Sequence, residues 1–140
     1  MSDMFSELDD LSRRLNDASD RINSAISVTN AKLNKLNLGL EVWLVNRPVF
    51  CSDCQEIWLG YCEIEGEWQL AVRRRTCENG PLEDADEQEI EDDCRPLLRA
   101  SRGLRLDALP LIPELADEIK RRAQGLLKEI TDAERLVKNL

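Results

Sequence analysis

The stretch from Gln55 to Arg75, QEIWLGYCEIEGEWQLAVRRR, alternates in character on both sides of Glu65-Gly66. Strand side chains point to opposite faces with period two, so the alternation predicts a β-hairpin. Gly66 supplies the positive φ that a tight two-residue turn needs. Pairing then runs backwards from the turn. Ile64 faces Glu67, Glu63 faces Trp68, Tyr61 faces Leu70, Leu59 faces Val72 and Ile57 faces Arg74. That face is apolar along most of its length and needs a cover. The other face sets Cys62 against Gln69, Gly60 against Ala71, Trp58 against Arg73 and Glu56 against Arg75. It offers a cation–π contact and a cross-strand ion pair. A slip of one residue would invert the two faces, so the pattern fixes the register. A hairpin alone is marginally stable, and the rest of the chain must supply another strand or a helix.

Two long helical seams flank the hairpin. Before it, apolar or small residues fall at Met4, Leu8, Leu11, Leu15, Ala18, Ile22, Ile26, Thr29, Leu33, Leu36 and Leu40. This is a heptad pattern with one stutter, at Ile22–Ile26. No proline or glycine interrupts before Gly39, so one helix is predicted over 3–38, on the order of 50 Å long. At the other end, Leu115, Ile119, Ala123, Leu126, Ile130, Ala133, Val137 and Leu140 repeat the pattern and predict a helix over 114–140.

The remaining segments complete the layout. Leu40–Val45 predicts a first strand, Asn46-Arg47-Pro48 breaks it, and Val49–Cys54 reads as a connection. Residues 40–75 thus form a three-stranded antiparallel meander. Residues 76–93 read as an acidic loop punctuated by Asn79-Gly80-Pro81. Residues 95–109 read as a short helix with Pro96 in its first turn. Its face of Leu97, Leu98, Ser101, Leu104 and Ala108 is expected to cover the hairpin. The fold class is α+β, one domain over 1–140: long N-terminal helix, three-stranded antiparallel meander, short helix, long C-terminal helix. The terminal helices are coiled-coil-like.

Charge and composition exclude several function classes. Net charge is −9, but Glu83–Asp93 alone holds 8 carboxylates and no basic residue. Removing them from the chain's 28 leaves 20 acidic against 19 basic residues, a nearly neutral body. Nucleic-acid binding needs a basic surface, so no such partner is expected. There is no histidine, which excludes any histidine-containing triad and the commonest nitrogen metal ligand. No phosphate-binding, dinucleotide-binding or hydrolase motif is present, so neither catalysis nor a cofactor is expected. No apolar run approaches the ~20 residues of a membrane span. The acidic N-terminus MSDMFSELDD has no signal-like apolar core, and five cysteines make an odd number. Both favour a cytoplasmic protein with reduced thiols.

Three residue sets are candidates for function. Cys51-Ser52-Asp53-Cys54 is a C-x-x-C that, with Cys77 and Cys94, offers four thiolates to a structural zinc. It precedes a strand rather than opening a helix, against a thioredoxin-type role. Trp58 and Arg73 form a possible small-ligand or peptide corner. Asp84, Asp86 and Gln88 begin like a calcium loop, but Glu89 stands where its glycine belongs and Arg95 where its closing acid belongs. The seams are the strongest set: Leu8, Leu11, Leu15, Ile22, Ile26 and Leu33 in one, Leu126, Ile130 and Val137 in the other. They predict a non-catalytic protein–protein interaction or assembly module, a homo-oligomer and most simply a dimer. The zinc module is the alternative. The seams pair either within one chain or between chains.

Overall fold

The computed structural model describes residues 2–76 and 91–140. The chain begins with a single helix, α1 (Ser2–Leu36). It ends where Asn37 and Gly39 both take positive φ, 49° and 65°, the left-handed geometry that stops helices. Five strands follow: β1 (Val42–Trp43), β2 (Phe50–Cys51), β3 (Gln55–Ile64), β4 (Glu67–Thr76) and β5 (Glu91–Pro96). A 3₁₀ turn at Leu97–Arg99 leads to α2 (Arg102–Ala108), a second at Leu109–Leu111 to α3 (Ile112–Lys138). The α+β class, with a long helix at each end, is as the sequence predicts.

The β3–β4 register is the predicted one at every pair from Ile64↔Glu67 to Glu56↔Arg75. Glu65 and Gly66 both have positive φ, 55° and 84°, so the turn twists in the sense the strands require.

The three-stranded meander is corrected to a five-stranded antiparallel sheet, ordered β1-β3-β4-β5, with β2 also on β3. The expected connection at Val49–Cys54 contains β2, because Phe50↔Ile57 and Cys51↔Glu56 resume the edge that Pro48 interrupts. Only Val42 and Trp43 of the expected Leu40–Val45 strand join the ladder, although Leu44 N–H still donates to Leu59 O at 2.9 Å. The predicted 76–93 loop and the start of the 95–109 helix are corrected by β5. Its backbone pairs with β4 from Ala71↔Pro96 to Thr76↔Glu91. Arg74 donates to Asp93 at 3.1 Å across that ladder, so opposite charges supply what alternation does not. The helix itself shrinks to Arg102–Ala108, capped by Ser101 Oγ, which accepts from Leu104 N–H at 3.3 Å. Asn79-Gly80-Pro81, the calcium-like stretch and most of the acidic run lie outside the described residues.

One face of the sheet carries the core. Leu59, Tyr61, Leu70 and Val72 meet Ile26 of α1, Leu97, Ala108, and Leu111, Leu115 and Ile119 at the start of α3. The cover is therefore shared: α2 contributes Ala108 and Leu104, but the C-terminal half of α1 and the N-terminal half of α3 do most of it. A second, polar stripe fastens α1 to the body. Ser19 accepts from Arg102 at 3.1 Å, Asn23 accepts from Arg105, and Asn34 accepts from the Tyr61 hydroxyl. Asn30 Oδ1 accepts from the backbone N–H of Leu70 at 2.7 Å, past the point where β5 has left the ladder at Pro96. Asn30→Ala strands that N–H in a part-buried site, which costs about 1–3 kcal/mol. Urea denaturation is expected to show that loss, with the exposed control Asn16→Ala near wild type.

Candidate functional site

The second face of the sheet is where the sequence placed a ligand corner. Trp58 and Arg73 are cross-strand partners as expected. The aromatic ring that Arg73 covers, however, is Trp43, with the guanidinium carbon 4.3 Å from the ring centroid. Trp43 pairs with Gly60, and the absence of a side chain there lets the indole lean over β3 toward β4. Its Nε1–H donates to Glu41 at 2.8 Å, and that of Trp58 to Glu56 at 3.3 Å. Arg73 Nε is buried without a hydrogen-bond acceptor among the described residues. Trp43, Leu44, Val45, Trp58, Arg73 and Arg75 line an open cavity of about 220 Å³. That is smaller than most ligand pockets, which run from roughly 300 Å³ upward.

The cysteines divide differently from the C-x-x-C reading. Cys51 and Cys54 are exposed around the β2–β3 turn. Cys94 lies instead against Cys62 of β3, Sγ to Sγ 3.8 Å. Cys77 lies outside the described residues. Among those described, no three cysteine, aspartate or glutamate side chains gather closely enough to hold a metal ion.

Burial pushes the Cys62 thiol up to about 12, with help from the neighbouring Cys94 and Glu41 charges and opposition from Arg73. A thiol raised above its ordinary value of 9.0 is protonated in the fold when the unfolded chain has already lost its proton. Its contribution to stability is complete below about pH 9 and is lost as pH rises toward 12, by at most ~1.4 kcal/mol per pH unit. Cys62→Ala is expected to flatten that alkaline limb in melts recorded between pH 8 and 11.

The seams separate into covered and open halves. Ile26 is fully buried, and Ile22 and Leu33 pack against the core, so these three serve the fold. Leu8, Leu11 and Leu15 remain 53%, 47% and 52% exposed, with Met4 and Phe5 beside them. On α3, Leu115 and Ile119 are buried, whereas Leu126, Ile130 and Val137 are exposed.

No protein-family model, curated protein or solved structure matches the chain.

The two open halves leave the body at different places. α1 packs on β4, the Leu97–Arg99 turn and α2, so its first half extends past α2. α3 packs on β1, its Arg121–Glu129 stretch passing Leu40–Val42, and its last turns extend beyond that edge. No helix among the described residues is long and apolar enough to cross a membrane.

Sequence reasoning missed the Cys62–Cys94 contact, the Trp43 stack and the polar stripe of α1. Only the last left a signal: four asparagines within one helix, a poor helix former repeated at 16, 23, 30 and 34.

Proposed function

We propose that the protein is a non-catalytic assembly module whose copies join through the open halves of α1 and α3. The observation that carries this is the pair of heptad stripes left uncovered by the chain's own fold, Met4 to Leu15 and Leu126 to Leu140. Each runs for roughly 20 Å of helix. An isolated helix with such a stripe is unstable in water and gains by burying it against another helix. A second copy of the chain is the occupant we favour, because the two stripes share the same spacing and carry opposite charge. Residues 3–17 hold five carboxylates against Arg13 and Arg14, a net −3. Residues 120–138 hold six basic residues against Glu129, Asp132 and Glu134, a net +3. Like stripes repel and unlike stripes attract, so α1 of one copy meets α3 of the other, and a two-fold dimer makes both contacts at once. The reading includes a cytoplasmic setting, where the exposed thiols of Cys51, Cys54 and Cys94 stay reduced.

Sedimentation velocity at micromolar concentration tests it. The 16.0 kDa chain is expected to run as a dimer. Glu7→Lys with Asp10→Lys weakens association, and so does Lys128→Glu with Arg135→Glu. An equimolar mixture of the two doubly substituted chains restores it. A wild-type monomer at 100 micromolar would overturn the assembly reading. Association that neither double substitution alters would overturn the α1–α3 pairing alone.

A further inference from the structure

We propose that Cys62 and Cys94 are a modification site: a dithiol that low-molecular-weight disulfides such as oxidised glutathione convert to an intramolecular cross-link. The two residues lie on the same face of the sheet, on β3 and β5, with β4 between them. Cys62 pairs with Gln69 and Cys94 with Arg73, so each is a diagonal neighbour of Ala71. In a flat sheet two such diagonal steps would separate them by roughly 15 Å. Their sulfurs are 3.8 Å apart, which requires the sheet to curl over this face. The fully buried Ala71, the diagonal neighbour of both, carries only a methyl group, which leaves room for that curl. A disulfide bond is about 2.0 Å long, so closure asks for a movement of roughly 1.8 Å. Among the described residues β5 pairs with β4 alone, at the end of the strand order, and can supply it.

The two sulfurs differ in the way a stepwise exchange needs. Cys94 is exposed and Cys62 is buried. As thiolate, Cys94 attacks one sulfur of the small disulfide; the bond between its two sulfurs breaks, one half leaves, and the proton lost by Cys94 is returned to it in solvent. Cys62 then loses its proton and attacks the Cys94 sulfur, which expels the second half as a thiolate that takes up that proton. Two protein thiols are oxidised to one disulfide, and the reagent is reduced to two thiols. Arg73, beside the pair, favours the Cys62 thiolate that this second attack needs. The cross-link ties β5 to β3 across β4, and a reducing thiol reverses it.

Reduced full-length protein incubated with oxidised glutathione is the test, read by alkylation and peptide mapping under native conditions. Wild type is expected to lose two thiols, to yield a linked peptide pair containing Cys62 and Cys94, and to show slower amide exchange across β5. Cys62→Ala is expected to accumulate the glutathione adduct on Cys94. Ala71→Leu, which pushes the sulfurs apart, is expected to do the same with both cysteines present. Three results would overturn the proposal: a wild-type chain that stops at the adduct, Cys94 linked instead to Cys51, Cys54 or Cys77, or Cys94 unreactive because stoichiometric zinc holds it. The wild-type map decides the matter even if the substituted chains fail to fold.

Discussion

Gly60→Ala is expected to destabilise the fold by about 3 kcal/mol or more, out of proportion to a single added methyl group. Overpacking ordinarily costs ~1–3 kcal/mol, because neighbours shift by a few tenths of an ångström. Here a Cβ would stand 2.2, 2.4 and 2.7 Å from three ring atoms of Trp43, well inside any tolerable contact. The indole is poorly placed to yield. Its Nε1–H is bonded to Glu41, Arg73 covers its ring, and its backbone is paired to Gly60 itself. Lifting the ring would also strip the half-buried Arg73 of the contact its charge rests on, and that side chain already has one unsatisfied nitrogen. Urea denaturation should show a lower midpoint at an unchanged slope. The double substitution with Trp43→Ala should be much less unstable than the sum of the single ones, because the clash is gone. A Gly60→Ala chain within about 0.5 kcal/mol of wild type would show that Trp43 does not hold this position.

The hairpin was legible because two independent local signals agree there. Period-two alternation sets the faces and Gly66 sets the turn, and no distant residue is needed to choose the register. β5 was not legible because EDDCRP has no apolar alternation to read. It is a strand by virtue of what it lies beside: Asp93 faces Arg74 of β4 and accepts its hydrogen bond, and complementary charge substitutes for a hydrophobic face. Such pairing depends on a segment far along the chain, so a local reading sees only a polar loop. The same holds for the sites. Ladder partners follow from register, so Trp58 opposite Arg73 was foreseeable. Which indole lies under the guanidinium was not, since that turns on Trp43 leaning across a glycine of the next strand. The Cys62–Cys94 contact depends on sheet curvature, which no spacing of residues reports. The long helices show a third case. Their stripes are near-heptad from end to end, but periodicity says only that a face is apolar, not what covers it.

Ile26→Ala and Leu11→Ala are expected to give opposite results, although both residues belong to that one stripe of α1. Ile26 has no exposed surface and packs where α1 crosses the sheet. Removing its side chain leaves a cavity among Leu70, Leu97 and their neighbours, and truncations of this kind cost about 2–5 kcal/mol. The loss should appear in urea or thermal unfolding at every protein concentration, because the contact is made within one chain. Leu11 is 47% exposed. In a monomer its loss should cost less than about 0.5 kcal/mol, and alanine is if anything the better helix former. In the proposed dimer the second copy would bury this side chain, so its removal should raise the dissociation constant at least tenfold, about 1.4 kcal/mol. The unfolding midpoint of wild type should then rise with protein concentration, and that of Leu11→Ala should rise less at the same concentrations. A Leu11→Ala chain as destabilised as Ile26→Ala at nanomolar concentration would mean that the open half of α1 packs within its own chain. Concentration dependence shared equally by both variants would mean that the dimer is held elsewhere. The division falls between Leu15 and Ile22, before the stutter: up to Leu15 the stripe is open, and from Ile22 onward it packs against the core, so one apolar period serves two different partners.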